Sequence, residues 1–277
     1  MQPHRARARL NSAQQPAVAT PMNILVFDSG LGGLTVFREV AKARPDARYL
    51  YIADDAFFPY NDRGEADLVT RVVVLIGELI EAHSPDLIVI ACNTASTLVL
   101  PQLRRHFTVP FVGTVPAIKP ACATSVSKRV TVLGTQATVS REYTRALIRD
   151  FANGADVALV GSARLAACAE AELKGTPEVD QLIAEEIAPC FIDAGGRRTD
   201  TIVLACTHYP LLLERMTRLA PWPVTFIDPA PAIARRVLDL NGAPSSAPPS
   251  PARIAFTSGA APSAALAAAL QRFGLVA

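Results

Sequence analysis

Two short stretches of the sequence each lead an apolar segment into an alanine, a cysteine and several polar residues. The first is LIVIACNTAS at 87–96, and the second is TIVLACTHYP at 201–210. Cys92 and Cys206 each stand where a buried strand is expected to give way to a helix. Free N–H groups and positive potential at a helix N-terminus lower the pKa of a thiol. The pattern predicts two reactive thiols, although either cysteine alone is more typical of a core position.

Two thiols that approach one carbon atom from opposite sides can invert its configuration. A thiolate removes a proton from one face while a thiol delivers a proton to the other, and the pair works in both directions. An amino acid's α-proton is far less acidic than a thiol, so the site needs oriented donors and exclusion of water. Pyridoxal phosphate is the usual aid, but it requires a Schiff-base lysine. We expect no cofactor, because none of the lysines stands at these strand ends: Lys42, Lys119, Lys128 and Lys174.

Polar residues that can assist the thiols follow the same predicted strands. Asp28 is expected in the same layer as Cys92 and could orient or deprotonate its thiol, although it also fits a helix N-cap. His208 follows Cys206 by two residues and could supply a proton or hold a carboxylate. We expect no metal, because no second ligand pair stands at zinc-site spacing. Hydroxyl, amide and backbone donors come from Ser29, Asn93, Thr94 and Thr207.

The glycine-rich stretch FDSGLGG at 27–33 partly matches a dinucleotide-binding fingerprint. Gly30, Gly32 and Asp54 stand at suitable positions, but Thr35 occupies the place of the third glycine in GxGxxG. A nucleotide-binding regulatory module, with the cysteines in its core, is therefore the less favoured alternative. The glycines more readily let backbone N–H groups approach a smaller anion.

Short runs of Val, Ile and Leu alternate with longer helical patterns, which is typical of an α/β fold with mostly parallel sheets flanked by helices. The order repeats, since NILVFDSG opens one half and RVTVLGTQ opens the other. We predict two pseudo-symmetric lobes, with the active site in the cleft between them. The first lobe comprises 22–114 and 225–277, the second 115–224, and 1–21 form a disordered extension. Predicted strands are 23–28, 48–53, 87–91, 111–113, 129–134, 156–160, 201–205, 224–227 and one within 252–259; the clearest helices are 65–82, 140–151 and 179–194, with a further helix at 263–273 and a linker at 242–251.

Composition excludes several classes of protein. The formal net charge is +2, with 27 basic residues scattered among 25 acidic ones, so neither nucleic acid nor a membrane surface is an expected partner. No apolar run is long enough to span a bilayer, and the first residues lack a signal-peptide pattern. Five cysteines without a CxxC pair are typical of reduced thiols. We expect a cytoplasmic protein.

The motifs DSGLGG, PY, ACNTAS, GTQAT and ACTHYP resemble those of the glutamate racemase family in content, order and spacing. This resemblance implies a cofactor-independent isomerase that interconverts L- and D-glutamate for peptidoglycan synthesis and often forms homodimers. It implies that Cys92 acts on D-glutamate and Cys206 on L-glutamate. The residues that it places against the substrate are Asp28, Ser29, Tyr60, Asn61, Asn93, Thr94, Thr207 and His208.

Two positions depart from the family pattern. The auxiliary carboxylate of the family falls on Glu170, but the surrounding segment differs enough that Glu172 stays an alternative. Asn61 replaces the usual glycine after Tyr60, and asparagine tolerates a positive φ better than most residues. The nearest alternative function is aspartate racemisation in the same superfamily, whose members typically carry CTE where this chain has CTH at 206–208.

Overall fold

The computed structural model describes residues 21–246 and 248–277. The extension predicted at 1–21 therefore lies outside the described residues, except for its last position. The described chain forms two parallel sheets flanked by helices, which confirms the predicted α/β architecture with two lobes. Its strands are β1 Asn23–Asp28, β2 Arg48–Ala53, β3 Leu87–Ile90, β4 Phe111–Gly113, β5 Arg129–Thr135, β6 Asp156–Ser162, β7 Asp193–Ala194, β8 Arg197–Arg198, β9 Thr201–Ala205, β10 Thr225–Ile227, β11 Ala252–Phe256 and β12 Leu275–Val276.

Helices cover both faces of the sheets. Short 3₁₀ turns at Asp55–Phe57, Tyr60–Asp62, Ala188–Cys190 and Tyr209–Leu212 connect several elements. The α-helices are α1 Leu34–Ala43, α2 Glu65–His83, α3 Asn93–His106, α4 Ile118–Thr124, α5 Gln136–Ser140, α6 Glu142–Phe151, α7 Leu165–Leu173, α8 Asp180–Ile187, α9 Leu213–Leu219, α10 Ala230–Asn241 and α11 Ala264–Arg272.

The sheet of the first lobe has the strand order β12-β11-β2-β1-β3-β4, and all its pairs are parallel. Strand β3, an inner strand between β1 and β4, is apolar at every position and fully buried, because helices pack on both faces. Burying each such Leu, Ile or Val contributes about 1.5–3 kcal/mol. This buried strand fixes the position at which the chain leaves the sheet toward Cys92.

The sheet of the second lobe has the order β10-β9-β5-β6 and is also parallel. In both sheets the strand that precedes a thiol pairs with the strand that opens the repeat: β3 with β1, and β9 with β5. The carboxyl ends of these strands lie at one edge of each sheet, where α/β proteins bind ligands.

The predicted boundary between the lobes places one strand in the wrong lobe. Thr225–Ile227 pairs with Thr201–Ala205, so β10 belongs to the second sheet rather than to the first lobe. The chain returns to the first lobe with α10, which packs on α1, and with β11, which pairs with β2.

The predicted helix at 179–194 is also too long. It ends at Ile187 because Pro189 lacks the N–H group that a continuing helix needs. A small hairpin of β7 and β8 follows, and its two central residues, Gly195 and Gly196, both have positive φ. Two glycines between short strands are a hairpin signal that the helical interpretation overlooked.

The helix predicted at 140–151 begins at Glu142 instead. Arg141 has an extended backbone and separates α6 from the short α5. This break turns the Arg141 side chain toward the other lobe. No helix in the described part of the chain is long and apolar enough to cross a membrane.

Candidate active site

The lobes enclose a small cavity into which both strand-end thiols open. Its volume is about 30 Å³, enough for roughly two water molecules. The cavity is lined by Ser29, Phe58, Pro59, Tyr60, Asn61, Cys92, Asn93, Thr94, Thr135, Ala166, Cys206, Thr207 and His208.

Cys92 is the N-cap of α3. Its Sγ accepts a hydrogen bond from the Ala95 N–H at 3.5 Å and lies 3.6 Å from Ser29 Oγ. Burial and the charge of Asp28 nevertheless raise the pKa of the Cys92 thiol to about 12, and the two hydrogen bonds only moderate this rise. The expectation that the helix N-terminus lowers this pKa is therefore wrong, because desolvation outweighs the helix dipole.

Asp28 is fully buried at the end of β1. Its Oδ2 accepts hydrogen bonds from the backbone N–H of Gly30 and Gly33 and from the Tyr51 hydroxyl. Its Oδ1 has no hydrogen-bond partner among the described residues. Burial raises the pKa of Asp28, although the charge of His208 lowers it in part. A buried carboxyl with one free oxygen can accept a proton or bind an ammonium group.

The glycine loop binds two carboxylates of the protein itself. Gly30 and Gly33 donate to Asp28, and the N–H of Leu31 donates to Glu170 Oε1 of the second lobe at 2.8 Å. These donors are therefore already used, which disfavours the nucleotide-binding alternative. The small anion expected at this loop is a side-chain carboxylate.

Cys206 begins a different kind of turn. The predicted α-helix does not start there, since a 3₁₀ turn at Tyr209–Leu212 comes first and α9 begins only at Leu213. The polar partner of Cys206 is His208, whose Nδ1 lies 3.7 Å from Sγ. His208 Nε2 in turn lies 3.2 Å from Glu170 Oε1. The three side chains form one buried line of thiol, imidazole and carboxylate.

Glu170 and Glu172 occupy different environments. Glu170 is buried against His208, and its Oε2 accepts a hydrogen bond from Lys174 Nζ at 2.7 Å. Glu172 pairs with Arg215 at 2.8 Å, away from the cavity. Of the two alternatives, only Glu170 lies at the site.

The charges of Glu170 and His208 depend strongly on each other. Burial raises the pKa of Glu170, but His208 and Lys174 outweigh this effect and lower it to about 2. Burial lowers the pKa of His208, yet its contacts with Cys206 and Glu170 raise it well above the ordinary value. The Glu170 contribution to stability is present above its unfolded pKa and is lost as pH falls toward 2. The His208 contribution is present below about pH 6.5 and is lost as pH rises through the higher folded pKa.

Replacing Glu170 tests this coupling. In Glu170→Gln the imidazolium loses its anionic partner, so the pKa of His208 falls and the alkaline limb of the kcat profile moves to lower pH. The measurement is kcat, across the pH range, for the reaction that the family resemblance implies. Glu172→Gln is the matched control and should leave the profile in place. A profile that shifts with Glu172 instead would exclude Glu170 as the auxiliary carboxylate.

Other predicted residues line the cavity from both lobes. Both polar side-chain atoms of Asn93 are buried and lack a hydrogen-bond partner among the described residues, so they are available to a ligand. Asn61 does not need a positive φ, because it lies in a 3₁₀ turn. Its Oδ1 accepts from the Ala137 N–H of the second lobe at 3.0 Å. Thr94 Oγ1 lies 3.1 Å from Thr135 Oγ1, which is also across the lobe interface.

Tyr60 and Thr207 complete the predicted set. The Tyr60 hydroxyl donates to Asp54 at 2.7 Å, so the tyrosine ring forms a fixed wall of the cavity. The carbonyl of Thr207 accepts from Thr35 Oγ1 at 3.0 Å. In the sequence, Asp54 and Thr35 stand only at positions of a partial nucleotide fingerprint, whereas their contacts give them structural roles.

Two residues make contacts at the site that the sequence does not predict. Gly32 packs directly on the His208 ring, so that any Cβ there would overlap it. Arg141 reaches from the second lobe to the Thr94 carbonyl oxygen of α3. The glycine motif contained a signal for the first, but nothing local marks the second. Within the described residues, no group of three or more His, Cys, Asp or Glu side chains could hold a metal ion.

Comparison with known proteins places these features in a family. The family model described as Asp/Glu/hydantoin racemase matches residues 31–237. The chain belongs to this racemase family. It is 52% identical over 264 residues to the glutamate racemase of Brucella ovis, covering 94% of this chain and 95% of the relative. The glutamate racemase of Brucella anthropi is 55% identical over 226 residues, covering 81% of each chain.

A solved structure supports the same family assignment for this racemase. The crystal structure of Escherichia coli glutamate racemase, in complex with L-glutamate and the activator UDP-MurNAc-Ala, superposes with a TM-score of 0.81 at 39% identity. The match covers 92% of this chain and 96% of that chain. The protein is therefore an isomerase of the amino-acid racemase type, and the predicted resemblance is confirmed.

Proposed function

We propose that this racemase interconverts L- and D-glutamate without a cofactor, by a two-base reaction of Cys92 and Cys206. The observation that carries the proposal is the opening of both thiols into one enclosed cavity between the lobes. The identity to curated glutamate racemases supports the choice of substrate.

Each direction of the reaction moves two protons. With D-glutamate, the Cys92 thiolate takes the α-proton and becomes a thiol, while the Cys206 thiol protonates the opposite face and becomes a thiolate. With L-glutamate, the same steps run in reverse from Cys206. A thiolate whose conjugate acid has a pKa of about 12 is a stronger base than an ordinary thiolate. Burial thus reduces the difference in pKa between the Cys92 thiol and the weakly acidic α-proton of the substrate. It also reduces the fraction of Cys92 that is ionised.

The surrounding groups bind the substrate and assist the thiols. The free Oδ1 of Asp28 accepts from the substrate ammonium or from Cys92. His208, as an imidazolium held by Glu170, serves Cys206 and offers positive charge to a carboxylate. Carboxylates are further bound by the unpaired amide of Asn93 and by hydroxyl and backbone donors of Ser29, Tyr60, Asn61, Thr94 and Thr207.

The physiological role, the cellular location and the oligomeric state follow from the same proposal. D-glutamate made by this enzyme serves peptidoglycan synthesis, which places the protein in the cytoplasm. A homodimer is the assembly that the resemblance implies. These assignments rest on the likeness to glutamate racemases rather than on a contact within the cavity.

Isotope exchange tests the proposed function. Purified protein is incubated in deuterium oxide with D- or L-glutamate and no added cofactor. We expect loss of optical activity and incorporation of deuterium at Cα of the inverted product, detected by circular dichroism and mass spectrometry. Aspartate is the control substrate. Faster turnover of aspartate than of glutamate would identify aspartate as the substrate. The absence of exchange with either amino acid would exclude the racemase reaction.

A further inference from the structure

Arg141 lies outside the cavity but contacts the helix that begins beside Cys92. Its side chain is only 10% exposed and extends from the second lobe. Nη1 donates to the carbonyl oxygen of Thr94 at 2.7 Å and to the hydroxyl of Thr97 at 2.9 Å, both on α3 of the first lobe. A cation of one lobe thus reaches the helix that carries the thiol of the other.

In the described part of the chain, this guanidinium has no buried carboxylate beside it. Its ion-pair partner among the described residues is Glu65, at 3.4 Å from Nε, and the Glu65 side chain is 66% exposed. Nε makes no hydrogen bond within the described chain. Burial lowers the pKa of Arg141, and the charges of Glu65 and Cys92 compensate only in part. A buried cation whose charge is only weakly compensated is energetically costly. Its positive potential is not cancelled by a partner and therefore acts on the neighbouring groups of α3.

The carbonyl that Arg141 binds shares a peptide unit with the N–H that binds Cys92. Arg141 donates to the oxygen of the Thr94–Ala95 peptide, and the N–H of that peptide donates to Cys92 Sγ at 3.5 Å. A charged donor at the oxygen polarises the amide and strengthens its N–H as a donor. We propose that Arg141 is a positioning residue that stabilises the Cys92 thiolate through this peptide.

The contact of Arg141 with α3 compensates for an electrostatic difference between the two thiols. Cys206 has a cation beside it, since His208 Nδ1 lies 3.7 Å away. Cys92 instead faces the charge of Asp28, which disfavours a thiolate. No lysine or arginine lines the cavity among the described residues. Arg141 supplies the missing positive potential from the opposite lobe, so its effect on Cys92 exists only when the lobes are together.

The test separates the two thiols, and it rests on the proposed two-base function. Because glutamate racemisation couples both thiols, we use β-chloroglutamate, from which a single thiolate can eliminate chloride. The thiolate takes the α-proton, the carbon–chlorine bond breaks, and chloride leaves with its electron pair. Water then hydrolyses the enamine product to ammonia and 2-oxoglutarate, which is measured. Cys206→Ala leaves Cys92 to act on the D-epimer, and Cys92→Ala leaves Cys206 to act on the L-epimer.

Arg141→Gln is introduced into both single-thiol variants. We expect it to slow elimination from the D-epimer by about tenfold and to change elimination from the L-epimer by less than about twofold. A rise of one unit in the pKa of the Cys92 thiol lowers its ionised fraction about tenfold. Arg141→Lys keeps the charge and should restore most of the rate. Arg145→Gln removes an exposed charge from α6, the helix that Arg141 immediately precedes, and should change neither rate.

Three results would overturn one of the two proposals. An equal loss on both epimers would show that Arg141 only holds the lobes together. A lysine variant as slow as the glutamine variant would exclude an effect of charge. A wild-type protein that neither racemises glutamate nor releases chloride would instead overturn the proposed function, whatever Arg141 does.

Discussion

Cys92→Ala and Cys206→Ala should each reduce racemisation of glutamate by about 10⁴-fold, because each variant lacks one of the two groups that must exchange a proton with Cα. The single remaining thiol still faces one side of the substrate. Cys206→Ala should therefore retain slow solvent exchange of the α-proton of D-glutamate, and Cys92→Ala that of L-glutamate. Polarimetry measures the inversion, and deuterium incorporation measures the exchange.

A third buried cysteine provides the control for this pair. Cys122 is 1% exposed and packs in the second-lobe core, away from the cavity. Cys122→Ala should cost some stability but leave racemisation unchanged. Full turnover by either active-site variant would contradict the two-base reaction, and exchange of the opposite epimer would reverse the assignment of the thiols.

Gly32→Ala should reduce kcat/KM by about 100-fold, which is the typical cost of displacing a reacting group by about 1 Å. An ideal Cβ at this position would overlap the His208 ring at three atoms. The ring cannot easily yield, since Cys206 and Glu170 hold it from both sides in a buried site. Steady-state kinetics of racemisation gives the loss, and the alkaline limb of the pH profile should change with it.

Gly64→Ala is the matched control for this substitution. Gly64 also has a negative φ, and its Cβ would meet only the end of the Asp67 side chain, at 3.0 Å. We expect near wild-type kinetics for this variant. Wild-type activity in Gly32→Ala would mean that His208 is free to move and does not need its observed contact with Cys206.

Much of the fold could be predicted from local patterns. β3 and β9 are continuous apolar runs, and such runs can be stable only between two layers of helices. Their repetition with an Ala-Cys ending identified the two lobes and the cleft. Two predicted helix boundaries were wrong because a single residue, Pro189 or Arg141, changes the local backbone. The lobe to which β10 belongs was wrong because it depends on strand pairing.

The residue types and their order along the chain indicate which chemistry is available: two thiols at equivalent strand ends, with a carboxyl, an imidazole and amide or hydroxyl donors in the same turns. The charge states and the pairing of these groups depend on the folded arrangement. The pKa of Cys92 rises because desolvation depends on the complete enclosure by both lobes, which no local pattern reports. Glu170 is distinguished from Glu172, and Arg141 meets the Thr94–Ala95 peptide, through contacts between distant segments. Spacing along a chain specifies strand ends and turns, whereas electrostatics depends on distances in space.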